Sequence, residues 1–303
     1  MALDLVDLLV NLVLFLVMLG VGSSLTLRDV KDVFRYPREL FFGLGLQLLI
    51  LPILAFLLVE WSGLSPALKV GIIVLAACPG GSTSNFISYL VRAKTALSIS
   101  LTTVNSIITL FSIPLVVNLA LMRYFATTGE VSLPFFQTIL NIFVVVLLPA
   151  ALGMLLRRYH RKAADKLEYP VKAISLVLLV GVFAIKFFAD QSAGGVGLTF
   201  STALEVLPFV FGLHVLGLAV GFFSARRAGF SDDASVTLGI EVGLQNTTLA
   251  ILVASALLES PAVTRPALVY AVFSFVTTAL FGWGVKRLLA RRHHLPLPRL
   301  RFW

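Results

Sequence analysis

A chain of 303 residues that is 58% hydrophobic and 13% charged is too apolar for a soluble fold, where about 45–50% and 25% are usual. Its net charge of +9 would point to nucleic acid in a soluble protein, but here Lys and Arg sit between and after long apolar runs, so a membrane surface is the partner and nucleic acid is set aside. The single cysteine, Cys78, excludes an intramolecular disulfide and leaves no thiol pair for a metal or redox centre.

The first apolar run, 5–25, has no basic stretch before it and is about as long as a bilayer is thick, so it reads as a retained span and not as a cleaved signal. The runs that follow predict eight more spans, at 39–61, 67–90, 95–121, 133–156, 171–189, 203–224, 234–257 and 263–284. None shows the alternation of a membrane-spanning strand. The expected class is therefore an all-α integral membrane protein with nine transmembrane helices in one transporter domain, 1–303, with a basic tail at 286–303.

The Lys and Arg residues give these spans a direction. Twenty of the twenty-four fall on one side, including Arg28, Arg35, Arg92, Lys94, Arg157, Arg158, Arg226, Arg227 and the tail. Arg123 and Arg265 fall on the other, and Lys69 and Lys186 lie inside or at the ends of spans. The positive-inside rule then places the N-terminus outside and the C-terminus in the cytoplasm of a cell inner (plasma) membrane. An even number of spans would put the tail on the wrong side, so the asymmetry also asks for an odd count.

Two spans are interrupted by polar sequence. The third contains Cys78-Pro79-Gly80-Gly81-Ser82-Thr83-Ser84-Asn85, in which Pro removes a backbone donor, two glycines weaken the helix, and the hydroxyl and amide side chains offer caps for a second half-helix. The eighth contains Glu241-Val242-Gly243-Leu244-Gln245-Asn246. Glu241 is the one acidic residue well inside a span, where holding a carboxylate costs at least ~2.5 kcal/mol on insertion scales, so it needs a cation or a proton. No Lys or Arg is expected at matching depth unless Lys69 or Lys186 reaches it.

The two stretches occupy corresponding places in the halves of the chain. If spans one to four are repeated by six to nine, the odd offset inverts the second copy, which is the inverted-repeat plan of many secondary transporters. Ser98, Thr102 and Asn105 share one face of the fourth span, and Gln47 precedes Pro52 on the second. These are oxygen ligands suited to a hard monovalent cation and not to a transition metal. Cys78 and His214 read as a packing residue and a satisfied bundle histidine.

At these residues the sequence resembles the bile acid:sodium symporter family. The likeness rests on the Cys78–Asn85 and Glu241–Asn246 stretches, on Met18-Leu19-Gly20-Val21-Gly22, and on the pairing of Gln47 with Pro52, and it extends over nearly the whole chain. The resemblance implies two crossing broken helices in a core domain (about 39–121 and 171–257) beside a panel domain (about 5–25, 134–156 and neighbouring helices). Bacterial relatives often have ten spans, so nine would leave the panel one helix smaller.

The same resemblance implies two coupling sodium ions. One would use Ser84, Asn85, Ser98, Thr102 and Glu241, and the other Gln47, Glu241, Gln245 and the carbonyls of Val242 and Leu244. An organic anion, such as a bile acid, a steroid sulfate or a small monocarboxylate like pantoate, would meet Ser82, Thr83, Asn85 and Asn246. Two sodium ions, one ionised Glu241 and one monoanion sum to zero charge. The expected function is sodium-coupled import of an organic anion by alternating access, by a monomer. The alternatives are a proton-coupled exchanger or an arsenite-type exporter. A membrane enzyme or sensor is disfavoured, because the chain offers no set of nucleophile, base and orienting group.

Overall fold

A computed structural model describes residues 36–125, 148–188, 195–258 and 260–292, with a few helical positions between 12 and 20. The expected span 5–25, the first part of 133–156 and the end of the tail lie mostly outside the described residues. Among the described residues there are helices and connecting turns and no strand.

The first helix, α1, runs over Pro37–Glu60. Pro37 sits in its first turn, where a missing N–H leaves nothing unpaired. Pro52 lies farther in, and just before it the helix widens into a π-turn, Leu46–Ile50, in which the Leu51 N–H reaches back to the Leu46 carbonyl. Such single π-turns often mark functional positions, and this one carries Gln47, which is 3% exposed.

The Pro-Gly-Gly stretch divides the next span as its composition demands. Helix α2, Pro66–Ala77, stops before Cys78, and α3, Ser82–Leu90, leaves at an angle of 59° to it. The N-cap of α3 is Gly81, without a side-chain capping bond. The expected caps are thus not used as caps, and the Ser84 hydroxyl instead donates back to the Gly81 carbonyl at 2.7 Å. Space explains the glycines, since a Cβ on Gly80 would lie 2.8 Å from Glu241 Oε2 and 3.2 Å from Ser84 Oγ.

Helix α4 spans Thr95–Tyr124, α5 Leu148–Tyr159, α6 Arg161–Phe188 and α7 Phe200–Arg227. The second interruption follows. Helix α8, Asp232–Gly243, opens with Ser231 as N-cap and Asp232 and Asp233 in its first turn, a favourable placement of negative charge. After Leu244 and Gln245, α9 resumes over Thr247–Leu252 with Asn246 as its N-cap and runs into a π-turn, Val253–Leu257. The last helix, α10, is Pro261–Arg292.

Five described helices are long and apolar enough to cross a membrane, or six with the bent α2–α3 pair counted as one span. Of the five, the span Asp232–Ser255 is by far the most enclosed, with 83% of its apolar window buried against 33–50% elsewhere. It is therefore the helix whose polar residues are held away from lipid. Helices α1, α4, α7 and α10 instead show large apolar side chains outward, among them Phe41, Leu57, Phe111, Leu115, Phe223 and Leu280.

Lipid offers no hydrophobic drive for helix pairing, so close backbone approach through small residues matters. On α7, a Cβ on Gly217 would meet the Val242 carbonyl oxygen at 2.7 Å, and one on Gly221 would meet that of Leu238 at 2.4 Å. Helices α7 and α8 thus touch backbone to backbone along this stripe. Gly71 plays the same part between α2 and α10, with the Val263 carbonyl oxygen 2.3 Å from its Cβ position.

Candidate functional site

The two interruptions meet. The Asn246 N–H, freed by the break before α9, donates to the Pro79 carbonyl, freed by the break before α3, at 2.9 Å. Each break thereby satisfies a backbone group that lipid would leave unpaired. The Asn246 side chain caps α9 by accepting from the Leu249 N–H at 3.0 Å, and its Nδ2 lies 3.3 Å from the Cβ position of Gly81.

Glu241, in the last turn of α8, is fully buried beside this junction. Ser98 Oγ donates to its Oε1 and also lies 2.7 Å from Asn85 Oδ1. Thr102 Oγ1 is 3.2 Å from Glu241 Oε2, 3.4 Å from Oε1 and 3.2 Å from Asn85 Oδ1. The face of α4 that carries Ser98 and Thr102, the start of α3 and the end of α8 therefore converge on one carboxylate.

The proton count in this cluster is short. A hydroxyl has one proton to give and a carboxylate or amide oxygen has two lone pairs. Three hydroxyls, those of Ser84, Ser98 and Thr102, face four acceptor oxygens, the two of Glu241, the Oδ1 of Asn85 and the Gly81 carbonyl. No basic residue pairs with Glu241 among the described residues. The deficit suits a cation among the oxygens or a proton on the carboxylate.

A second imbalance sits on the other side of the same helical turn. Gln47 Nε2 donates to the Glu241 carbonyl at 3.1 Å, and Gln245 Nε2 donates to the Val242 carbonyl at 2.7 Å. Both amide oxygens, Gln47 Oε1 and Gln245 Oε1, are buried without a donor, each at a cost of about 1–3 kcal/mol. Unpartnered acceptors against a turn rich in carbonyls again call for a positive guest.

The residues named from the sequence divide cleanly. Ser84, Asn85, Ser98, Thr102 and Glu241 meet around the carboxylate, with Ser84 held by the Gly81 carbonyl. Gln47, Val242, Leu244 and Gln245 gather at the end of α8, where Leu244 is 2% exposed. Ser82 and Thr83 lie at the exposed start of α3, near the junction and outside the buried cluster. Lys186 lies near the end of its span, in the last turn of α6, and is 7% exposed; the Val196 N–H donates to its carbonyl at 3.0 Å.

Sequence patterns alone did not reveal the support behind the second break. His214 on α7 and Tyr270 on α10 both reach the Gly243 carbonyl, with Thr277 of α10 behind the histidine ring, and the one signal available was a lone histidine in an apolar span. Asn105 is also fully buried, and neither atom of its amide has a partner.

The family model described as Sodium Bile acid symporter family matches residues 11–192. Over 90% of its length the chain is 32% identical to "Probable sodium/metabolite cotransporter BASS1, chloroplastic" of Oryza sativa subsp. japonica, covering 64% of that protein. It is 27% identical to "Uncharacterized sodium-dependent transporter YocS" of Bacillus subtilis, covering 91% of this chain and 83% of that one. The rabbit (Oryctolagus cuniculus) "Ileal sodium/bile acid cotransporter" is also 27% identical, over 89% of this chain and 77% of that protein. The chain spans less than two thirds of the length of the plant relatives. With the family model covering more than half of its residues, the chain belongs to the Sodium Bile acid symporter family.

Proposed function

We propose that this protein is a sodium-coupled secondary transporter that imports an organic anion by alternating access, with Glu241 shared between two sodium ions. The observation that carries the reading is the buried carboxylate at the meeting of two broken helices, where acceptor oxygens outnumber protons. One ion fits among Glu241, Ser98, Thr102, Asn85 and Ser84. The other fits at the end of α8, where rotation of Gln47 and Gln245 would present their amide oxygens beside the carbonyls of Val242 and Leu244.

The relatives' names, sodium/metabolite and sodium/bile acid cotransporter, support sodium as the coupling ion and an organic anion as cargo. Ser82, Thr83, Asn85 and Asn246, at the mouth of the crossing, are the groups that would meet its polar head. Nine spans with an inverted repeat, an N-terminus outside and a panel moving against a core complete the proposed architecture. With two sodium ions per monoanion, one net charge crosses per cycle, worth about 2.3 kcal/mol per 100 mV.

Reconstitution tests this reading. Proteoliposomes holding the purified protein are given an inward sodium or potassium gradient and offered taurocholate, estrone sulfate and pantoate as labelled anions. Uptake of at least one under sodium and none under potassium is the expected result. Uptake driven by a proton gradient and indifferent to sodium would move Glu241 to a proton-carrying role.

A further inference from the structure

The carbonyls around the second break fall into two classes. Those of Glu241 and Val242 are held by the side-chain amides of Gln47 and Gln245, long flexible groups that can rotate away. The Gly243 carbonyl is held differently. Tyr270 donates its hydroxyl to it at 2.5 Å, and His214 Nδ1 lies 3.0 Å from it. The same Nδ1 lies 2.9 Å from the Tyr270 hydroxyl; with its proton on Nδ1 the imidazole donates toward both oxygens, and its Nε2 accepts from the Thr277 hydroxyl at 2.8 Å. Two donors thus face the Gly243 oxygen, and a cation there would have to displace both.

The same phenol also accepts from the Gln245 N–H at 3.2 Å. Tyr270 and His214 therefore fix the residues on both sides of Leu244, at the point where α8 gives way to the break. Both side chains are buried, at 0% and 1% exposure, and their rings meet edge to face at 5.4 Å. Phe273 closes the group at 5.6 Å from His214 and 5.4 Å from Tyr270. The glycine stripe explains how His214 gets there. Gly217 brings α7 within backbone contact of Val242 and Gly243, and His214 is one turn away on the same face of that helix.

We propose that Tyr270 and His214 are positioning residues of the ion site, locking the Gly243 carbonyl and the Gln245 N–H so that only the oxygens of the Glu241 carboxylate, the neighbouring carbonyls and the two amides remain open to sodium. This assignment rests on the sodium reading above. It gives α10 and α7, which supply no ligand, control over which oxygens the break presents. A merely structural network would stabilise the folded protein equally with and without the ion.

The test titrates the melting temperature of the purified protein with sodium chloride, replaced by potassium chloride at fixed ionic strength, for wild type and Tyr270→Phe. The variant keeps the ring and loses the hydroxyl. The sodium midpoint, taken as the concentration that gives a set rise in melting temperature, should increase by about tenfold or more, the scale of one lost hydrogen bond to a buried group. Thr277→Val, which removes a hydroxyl that faces the far ring nitrogen and otherwise bonds back to the Phe273 and Ser274 carbonyls of its own helix, is the milder second variant and should raise the midpoint in the same direction. An unchanged sodium midpoint, with melting lowered equally in sodium and potassium, would overturn the assignment. Absence of a sodium effect in wild type would overturn the sodium reading and the assignment with it, whereas an unchanged midpoint in the variants leaves the sodium reading standing.

Discussion

The N–H of Asn246 and the carbonyl of Pro79, residues 167 positions apart in the chain, share a hydrogen bond of 2.9 Å. It joins the interruption of one span to the interruption of another. Everything proposed for this site depends on that junction, because it sets the end of α8, with Glu241, against the start of α3.

The glycine in the first break has a steric duty. Gly80→Ala would bring a methyl group to 2.8 Å from Glu241 Oε2, closer than a carbon and a carboxylate oxygen tolerate. The carboxylate must turn aside, so sodium-dependent stabilisation should weaken about tenfold or more, equivalent to at least about 1.4 kcal/mol. The sodium midpoint of thermal melting checks this, and the melting temperature in potassium should move much less.

Gln47 tests the second group of oxygens. Gln47→Leu removes both the donor to the Glu241 carbonyl and a buried acceptor that has no partner. Losing a donor costs about 1–3 kcal/mol while relieving an orphan offsets part of it, so stability without sodium should change little. Sodium affinity should fall, and a steep sodium dependence should become shallow as one of two ions is lost. Equilibrium binding of labelled sodium reads both.

The contact between α7 and α8 admits no side chain at its centre. Gly221→Val would place Cβ 2.4 Å from the Leu238 oxygen and 2.8 Å from the Gly239 Cα, and backbone cannot move as a side-chain tip can. A loss of about 1–3 kcal/mol or more is expected from such overpacking, seen as a lower melting temperature in sodium and potassium alike. At Gly45, where a Cβ meets nothing within 4 Å, Ala should leave melting near wild type.

Ser98 is placed between two acceptors and has one proton for both. Ser98→Ala leaves Asn85 Oδ1 and Glu241 Oε1 with Thr102 as their remaining hydroxyl. Sodium binding should weaken about ten- to a hundredfold, the scale of one lost bond to a charged group. Ser98→Thr, which keeps the hydroxyl, should recover most of the loss in the same assay.

Much of this was legible in the sequence for physical reasons that can be named. Pro79-Gly80-Gly81 cannot continue a helix, and the fold breaks there. Glu241 cannot face lipid, and it is enclosed on the most buried of the spans. The face of α4 followed from helical spacing, and Ser98 and Thr102 both reach the carboxylate. What could not be read was orientation across helices. Nothing local says that Ser84 would bond back to Gly81 instead of capping, or that His214 would face the Gly243 carbonyl. Those outcomes depend on close packing through Gly217 and Gly221, where a missing side chain on one helix decides what a neighbour touches.

The central claim is that Glu241 holds sodium, and a thermal titration of wild type against Glu241→Gln tests it most directly. A ligand that binds only the folded state raises its melting temperature, increasingly so as its concentration exceeds Kd. The account predicts a rise with sodium and none with potassium at equal ionic strength in wild type, and no sodium-specific rise in Glu241→Gln, whose amide keeps the shape but not the charge. A sodium response of equal size and midpoint in both proteins, or none in either, would contradict it.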